Sequence, residues 1–191
     1  MVCLPTREVS MKRLIMCMLL MSLSTGATAQ ILVFADDLEL GNLSRWSAMS
    51  CNSDGDPPGG VCPSECTGGC VGGVCLIDCS GPSSCEFATI TCPRDFACDI
   101  RCTGDGSCSD ALILCPNNFS CDVLCDAEDA CSQATISCPV SAPCNLACVG
   151  PPTSCSDTEQ VCGLAACEAT CSGNQTVVTD CGPACSCIEC P

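Results

Sequence analysis

"CDVLCDAEDACSQATISC", residues 121–138, sets four cysteines in 18 residues with two short hydrophobic alternations between them. The same arrangement precedes and follows it. "CLIDCSGPSSCEFATITCPRDFA" (75–97), "CDIRCTGDGSCSDALILCPNNFS" (98–120) and "CDVLCDAEDACSQATISCPVSAP" (121–143) share the pattern C-x3-C-x5-C-x6-C-x5. "CNLACVGPPTSCSDTEQVCGLAA" (144–166) keeps it with one residue gained before Cys155 and one lost before Cys167. Cys75, Cys98, Cys121, Cys144, Cys167 and Cys190 therefore stand on one 23-residue ladder. Upstream, Cys51, Cys62 and Cys70 fit an imperfect earlier rung with Cys66 as an extra, and the pattern dissolves after Cys171. Drifting terminal repeats are what a stacked array expects, because its ends must be capped.

Each rung carries period-two alternation. Cys98, Ile100 and Cys102 share one side of a strand while Asp99 and Arg101 share the other, and Ala111, Ile113 and Cys115 again fall on one side. The apolar columns persist from rung to rung: Ile77, Ile100, Val123 and Leu146 in one, Ile90, Ile113 and Ile136 in the other. Turn residues bound the strands, with Gly81, Gly104, Gly150 and Gly173 on one corner and Pro93, Pro116 and Pro139 on the other. A helix needs period 3.6, which is absent. The fold class that follows is all-β: a disulfide-rich parallel β-solenoid of about five to six 23-residue rungs, roughly 29 Å long at about 4.8 Å per strand.

Composition sets the compartment and the core. The chain has 28 cysteines in 191 residues and neither His nor Tyr, so a disulfide framework in an oxidising compartment is the economical reading. Zinc sites recruit His or repeated C-x-x-C pairs; here only the tail "CSCIEC", with Cys185, Cys187 and Cys190, resembles a thiolate cluster. "MKRLIMCMLLMSLSTGATA" joins a basic start (Lys12, Arg13), an apolar run from Leu14 to Leu23 and an Ala27-Thr28-Ala29 cleavage site. It reads as a signal peptide over residues 1–29, with Met11 an alternative start and Gln30 the first residue of the exported chain. The apolar run is too short for a membrane span. Residues 30–50 form a cysteine-free segment or cap that holds Trp46, and residues 51–190 form the solenoid, regular over 75–166. Cleavage removes Cys3 and Cys17 and leaves an even 26 cysteines. It also leaves three basic residues (Arg45, Arg94, Arg101) against 21 acidic ones, a balance that excludes nucleic acid and anionic lipid as partners. Localisation is thus expected to be secreted, extracellular or at the cell surface.

At this repeat length the chain resembles right-handed parallel β-helices, and its cysteine ladder resembles secreted cysteine-rich solenoid repeats, over about residues 51–190. That resemblance implies architecture and no activity. "FADDLELGNLSRWSA" is similar to a D-D/G-F-E-x-G-x-x-x-x-W segment near the N-termini of many exported bacterial proteins, with Leu38 where the family has phenylalanine.

Catalytic chemistry is sparse. With no histidine and no lysine after cleavage, the serines have no base to activate them. No catalytic residue and no cofactor is expected, and the leading reading is a non-enzymatic exported structural or binding module. Its partner is expected to be an extracellular glycan, a surface or a cation. Position two of the rung reads Leu76, Asp99, Asp122, Asn145, Glu168. Asp99 and Asp122, about 4.8 Å apart on adjacent strands, carry two alternatives: a carboxylate pair in a carbohydrate-active β-helix and a calcium site. Against both, the positions read as solvated, with no aromatic platform or basic partner beside them. The second strand shows Thr89-x-Thr91, Leu112-x-Leu114 and Thr135-x-Ser137 outward, an array akin to ice-binding solenoids, interrupted by the leucines and ended by Gln160.

For the disulfides, Cys98 and Cys102 lie about 13 Å apart on one strand, beyond bridging distance. Corner bridges Cys102–Cys108, Cys115–Cys121 and Cys125–Cys131 are favoured. Bridges between rungs, such as Cys98–Cys121, are the rival. The odd spacing of Cys108 and Cys115 assigns Cys108 to the corner, since both cannot face inward on one straight strand.

Overall fold

A computed structural model describes residue 51, residues 55–173 and residues 175–190. The chain divides into two compact units, Met1–Met49 and Ser50–Pro191, and the described residues all belong to the second. The signal peptide, its cleavage at Gln30 and the 30–50 segment with Trp46 lie outside the described residues.

Among the described residues there is no helix, and the strands form two sheets. The seven-stranded sheet runs β1 (Gly69–Val71), β2 (Val74–Cys79), β4 (Ala97–Cys102), β6 (Cys121–Cys125), β8 (Cys144–Cys148), β10 (Ala166–Cys171), β12 (Ser186–Ile188). The five-stranded sheet runs β11 (Val177–Asp180), β9 (Thr158–Val161), β7 (Thr135–Ser137), β5 (Leu112–Leu114), β3 (Thr89–Thr91). The chain alternates between the sheets, and every pairing except β1–β2 is parallel. The result is a parallel β-solenoid of about five turns.

Register follows the columns that the alternation marks out. Ile77, Ile100, Val123, Leu146 and Ala169 stack in one inward column. Ile90, Ile113 and Ile136 stack in the other, and Ile100, Ile113 and Ile136 are fully buried. β-branched side chains fit this pleated interior, but a coil this narrow leaves little apolar volume. Cysteine supplies the rest: Cys75, Cys79, Cys102, Cys108, Cys121, Cys125, Cys131, Cys148 and Cys155 have no exposed surface.

Three ladder assignments are corrected. Residues 62–70 form no parallel rung. β1 turns back through Gly72 (φ 58°) and Gly73 (φ 80°) and pairs antiparallel with β2, closing that sheet. At the far end Cys187, rather than Cys190, stands opposite Cys167. Gln160 is not on the outward threonine file; it faces inward opposite Ile136, and Glu159 follows Thr135 outside. The inserted residue before Cys155 shifts the alternation by one and turns a polar side chain into the core.

Gln160 is fully buried. Its Nε2 donates to the Glu168 carbonyl at 3.4 Å, while its Oε1 and the Oγ1 of Thr179, its register neighbour on β11, have no partner. An orphaned buried acceptor costs about 1–3 kcal/mol. Gln160→Ile, which extends the isoleucine column, is therefore expected to stabilise the protein by about 1 kcal/mol. A rise in the thermal midpoint checks this.

The corners are where the backbone is unusual. Between β4 and β5 the chain passes through Gly106 (φ 65°), Cys108 (φ 56°) and Asp110 (φ 54°), an alternating left-handed path. The position of Asp110 recurs as Phe87 (φ 55°), Gln133 (φ 58°) and Asp157 (φ 56°). Rungs approach so closely at this corner that a Cβ on Gly104 would overlap the carbonyl of Gly81, so the position admits only glycine.

Candidate functional site

Thirteen disulfides join all 26 cysteines from Cys51 to Cys190. One file runs along the glycine corner: Cys79–Cys85, Cys102–Cys108, Cys125–Cys131 and Cys148–Cys155. A second runs along the proline corner: Cys92–Cys98, Cys115–Cys121, Cys138–Cys144 and Cys162–Cys167. Each bridge joins the end of one strand to the turn or strand that follows. Successive files touch: Sγ of Cys138 lies 3.9 Å from Sγ of Cys167. Cys98 bonds Cys92 and Cys121 bonds Cys115, so neighbouring rungs are stacked, not bridged.

The ends use other pairs. Cys62–Cys70 and Cys66–Cys75 fasten the first hairpin. Cys51–Cys185, Cys171–Cys190 and Cys181–Cys187 fasten the last turn, so the "CSCIEC" tail holds no free thiolate. The same is true of every close trio of ligand-type atoms among the described residues. Each combines cysteines from two disulfides, or one disulfide with Glu189, and a bridged sulfur is not the thiolate that binds metal.

Sequence reasoning missed Gln175. The last corner has no bridge of the regular type, and this buried amide fills it. Its Nε2 lies 3.0–3.4 Å from the carbonyl oxygens of Cys148, Gly150, Pro151 and Ser172, and its Oε1 accepts from Ser154 Oγ at 3.2 Å.

The outward column of the seven-stranded sheet holds the candidate acids. Asp99 and Asp122 are register partners on β4 and β6, but each carboxylate has another neighbour. Arg101 Nη2 donates to Asp99 Oδ2 at 2.9 Å and its Nε to Oδ1 at 3.4 Å. Asn145 Nδ2 donates to Asp122 Oδ1 at 2.7 Å. The expectation that no basic group lies beside these acids is therefore corrected: two residues along a strand return to the same face, which places Arg101 next to Asp99. Hydrogen bonding and charge from Asp99 raise the pKa of Arg101.

The outward face of the five-stranded sheet is smoother. Its two files read Thr89, Leu112, Thr135, Glu159, Val178 and Thr91, Leu114, Ser137, Val161, Asp180. Around the proline corner from it lies a shallow groove of about 430 Å³, lined by Pro63, Glu65, Thr91, Pro93, Arg94, Pro116 and Asn117 among others. Arg94 is exposed and makes no ion pair among the described residues. This groove offers charges of both signs and an amide, with no nucleophile–base pair. Among the described residues no helix is long and apolar enough to cross a membrane. No protein-family model, no curated protein and no solved structure matches this chain.

Proposed function

We propose that this chain is a non-enzymatic exported module whose product is a rigid, protease-resistant surface. The observation that carries this reading is the double file of corner disulfides, which pins each regular rung on both sides. Proteolysis requires about ten residues of chain to open locally, and short covalent loops at every corner oppose that opening. Export supplies the oxidising environment that such a framework needs. The outward carboxylates speak for the same reading, since an acid–base pair needs two carboxyls aimed at a shared substrate, and these are aimed at Arg101 and Asn145.

The rival reading, a carbohydrate-active β-helix using Asp99 and Asp122, is tested by a polysaccharide-hydrolysis screen beside a glycan array. No turnover of any polymer is expected, and Asp122→Asn is expected to leave glycan binding unchanged. Turnover that Asp122→Asn abolishes would overturn the module reading.

A further inference from the structure

A solenoid has two ends, and here both ends of the five-stranded sheet are unpaired. β3 is its first strand and β11 its last, with no further strand beyond either among the described residues. The hydrogen bonds identify the free groups. Leu112 N–H donates to the Ala88 carbonyl and Cys92 N–H to the Leu114 carbonyl, so the even-numbered backbone groups of β3 face β5. Alternation leaves the N–H and C=O of Thr89 and Thr91 on the open side. At the other end Cys162 N–H donates to the Asp180 carbonyl, which turns the backbone of Val177 and Thr179 outward. Unpaired edges of this kind are templates for another chain.

Apolar exposure is concentrated at the same two ends. The four most exposed large apolar side chains are Val61 (94%), Val71 (84%), Phe87 (72%) and Val178 (63%). Val71 lies in β1, Val61 adjoins Cys62, which is bridged to β1, and Phe87 leads into β3. Val178 lies in β11. Phe87 also holds a left-handed φ of 55° at a corner position that other rungs give to Asp110 and Asp157. Aspartate tolerates that conformation and phenylalanine does so poorly, and strain of this sort is retained where a side chain has a use.

We propose that copies of this chain stack head to tail, β11 of one copy pairing in parallel with β3 of the next. The repeat itself makes the ends complementary. A copy placed one strand spacing beyond β11 sets Thr89-Ile90-Thr91 over Val178-Thr179-Asp180, continuing one inward and two outward columns. The contact is heterologous, so it does not close on itself and builds short open rods. The net charge of −16 opposes approach at low ionic strength, and salt screens that repulsion, so association strengthens as salt is added. This names the partner of the module proposed above and rests on that reading. Polymer turnover in the hydrolysis screen bears on the module alone, and the experiment below bears on stacking alone.

The test is sedimentation velocity on the full oxidised chain over a wide concentration range at low and high salt. The expected result for the native sequence is a concentration-dependent ladder of species. Thr91→Pro and Thr179→Pro each remove an outward N–H without removing a bond inside the sheet. Each alone is expected to be monomeric, whereas an equimolar mixture forms dimers and stops there, because each variant keeps one intact end. Circular dichroism and the thermal midpoint verify that each variant is folded. Phe87→Asn and Val178→Asp, which change exposed side chains only, are expected to weaken association about tenfold or more, roughly 1.4 kcal/mol. A native chain that stays monomeric under all conditions overturns the proposal. So does Thr179→Pro forming dimers by itself, which means two β3 edges pair symmetrically, and so does a mixture that stays monomeric while the native chain associates.

Discussion

Complete reduction is expected to remove the β-sheet circular dichroism of this protein and leave a disordered chain at room temperature. Eleven of the thirteen bridges close loops of five to nine residues. A seven-residue loop contributes about 2.4 kcal/mol in the chain-entropy model, with native strain reducing any sum. Four such bridges already rival the whole stability of an ordinary domain, about 5–15 kcal/mol. The apolar columns are too thin to replace them, since the inward side chains of a rung are one or two aliphatics with alanine and cysteine. Far-UV spectra taken with increasing thiol check this. Retention of the full β signal after every bridge is broken contradicts it.

The second large effect comes from the few aliphatics that do fill the coil. Ile113 has no exposed surface and stacks between Ile90 and Ile136. Ile113→Ala deletes three carbons in a column that the flanking strands and the stapled corners prevent from collapsing. Such truncations cost about 2–5 kcal/mol, with the upper part of the range where the site cannot relax. We expect about 4 kcal/mol, read as a lowered midpoint in denaturant with an unchanged slope. Leu112→Ala, on the outside of the same strand and 39% exposed, is the control and is expected to change stability by less than about 1 kcal/mol.

The architecture was legible because its two periods are both in the residues. A 23-residue cysteine repeat sets the turn, and strict alternation inside CDIRC or CDVLC sets which side faces in. What was not legible is everything that depends on phase or direction. One inserted residue before Cys155 reversed the side on which Gln160 falls. The step from Cys167 to Cys187 is 20 residues, shorter than the repeat, so counting forward by 23 landed on Cys190. Cysteine spacing does not distinguish a parallel rung from a hairpin, yet the Gly72-Gly73 pair between Val71 and Val74 is itself a tight-turn signal. The surface was harder still. Asp99 and Asp122 do stack, but Arg101 and Asn145 engage them. The groove beside Arg94 draws on two rungs and on the loop around Pro63, which no single segment of sequence reveals.

The most direct measurement is the disulfide map of the native protein, obtained by proteolysis without reduction and mass spectrometry. Asp105 lies between Cys102 and Cys108, Phe119 between Cys115 and Cys121, and Glu128 between Cys125 and Cys131, so cleavage opens each short loop and leaves two peptides joined by one bridge. The stapled solenoid predicts links six residues apart along both corners, including Cys92–Cys98, Cys102–Cys108 and Cys115–Cys121, and no alkylatable thiol from Cys51 to Cys190. Peptides linked 23 residues apart, such as Cys98 to Cys121, or several free thiols in the regular rungs, contradict it.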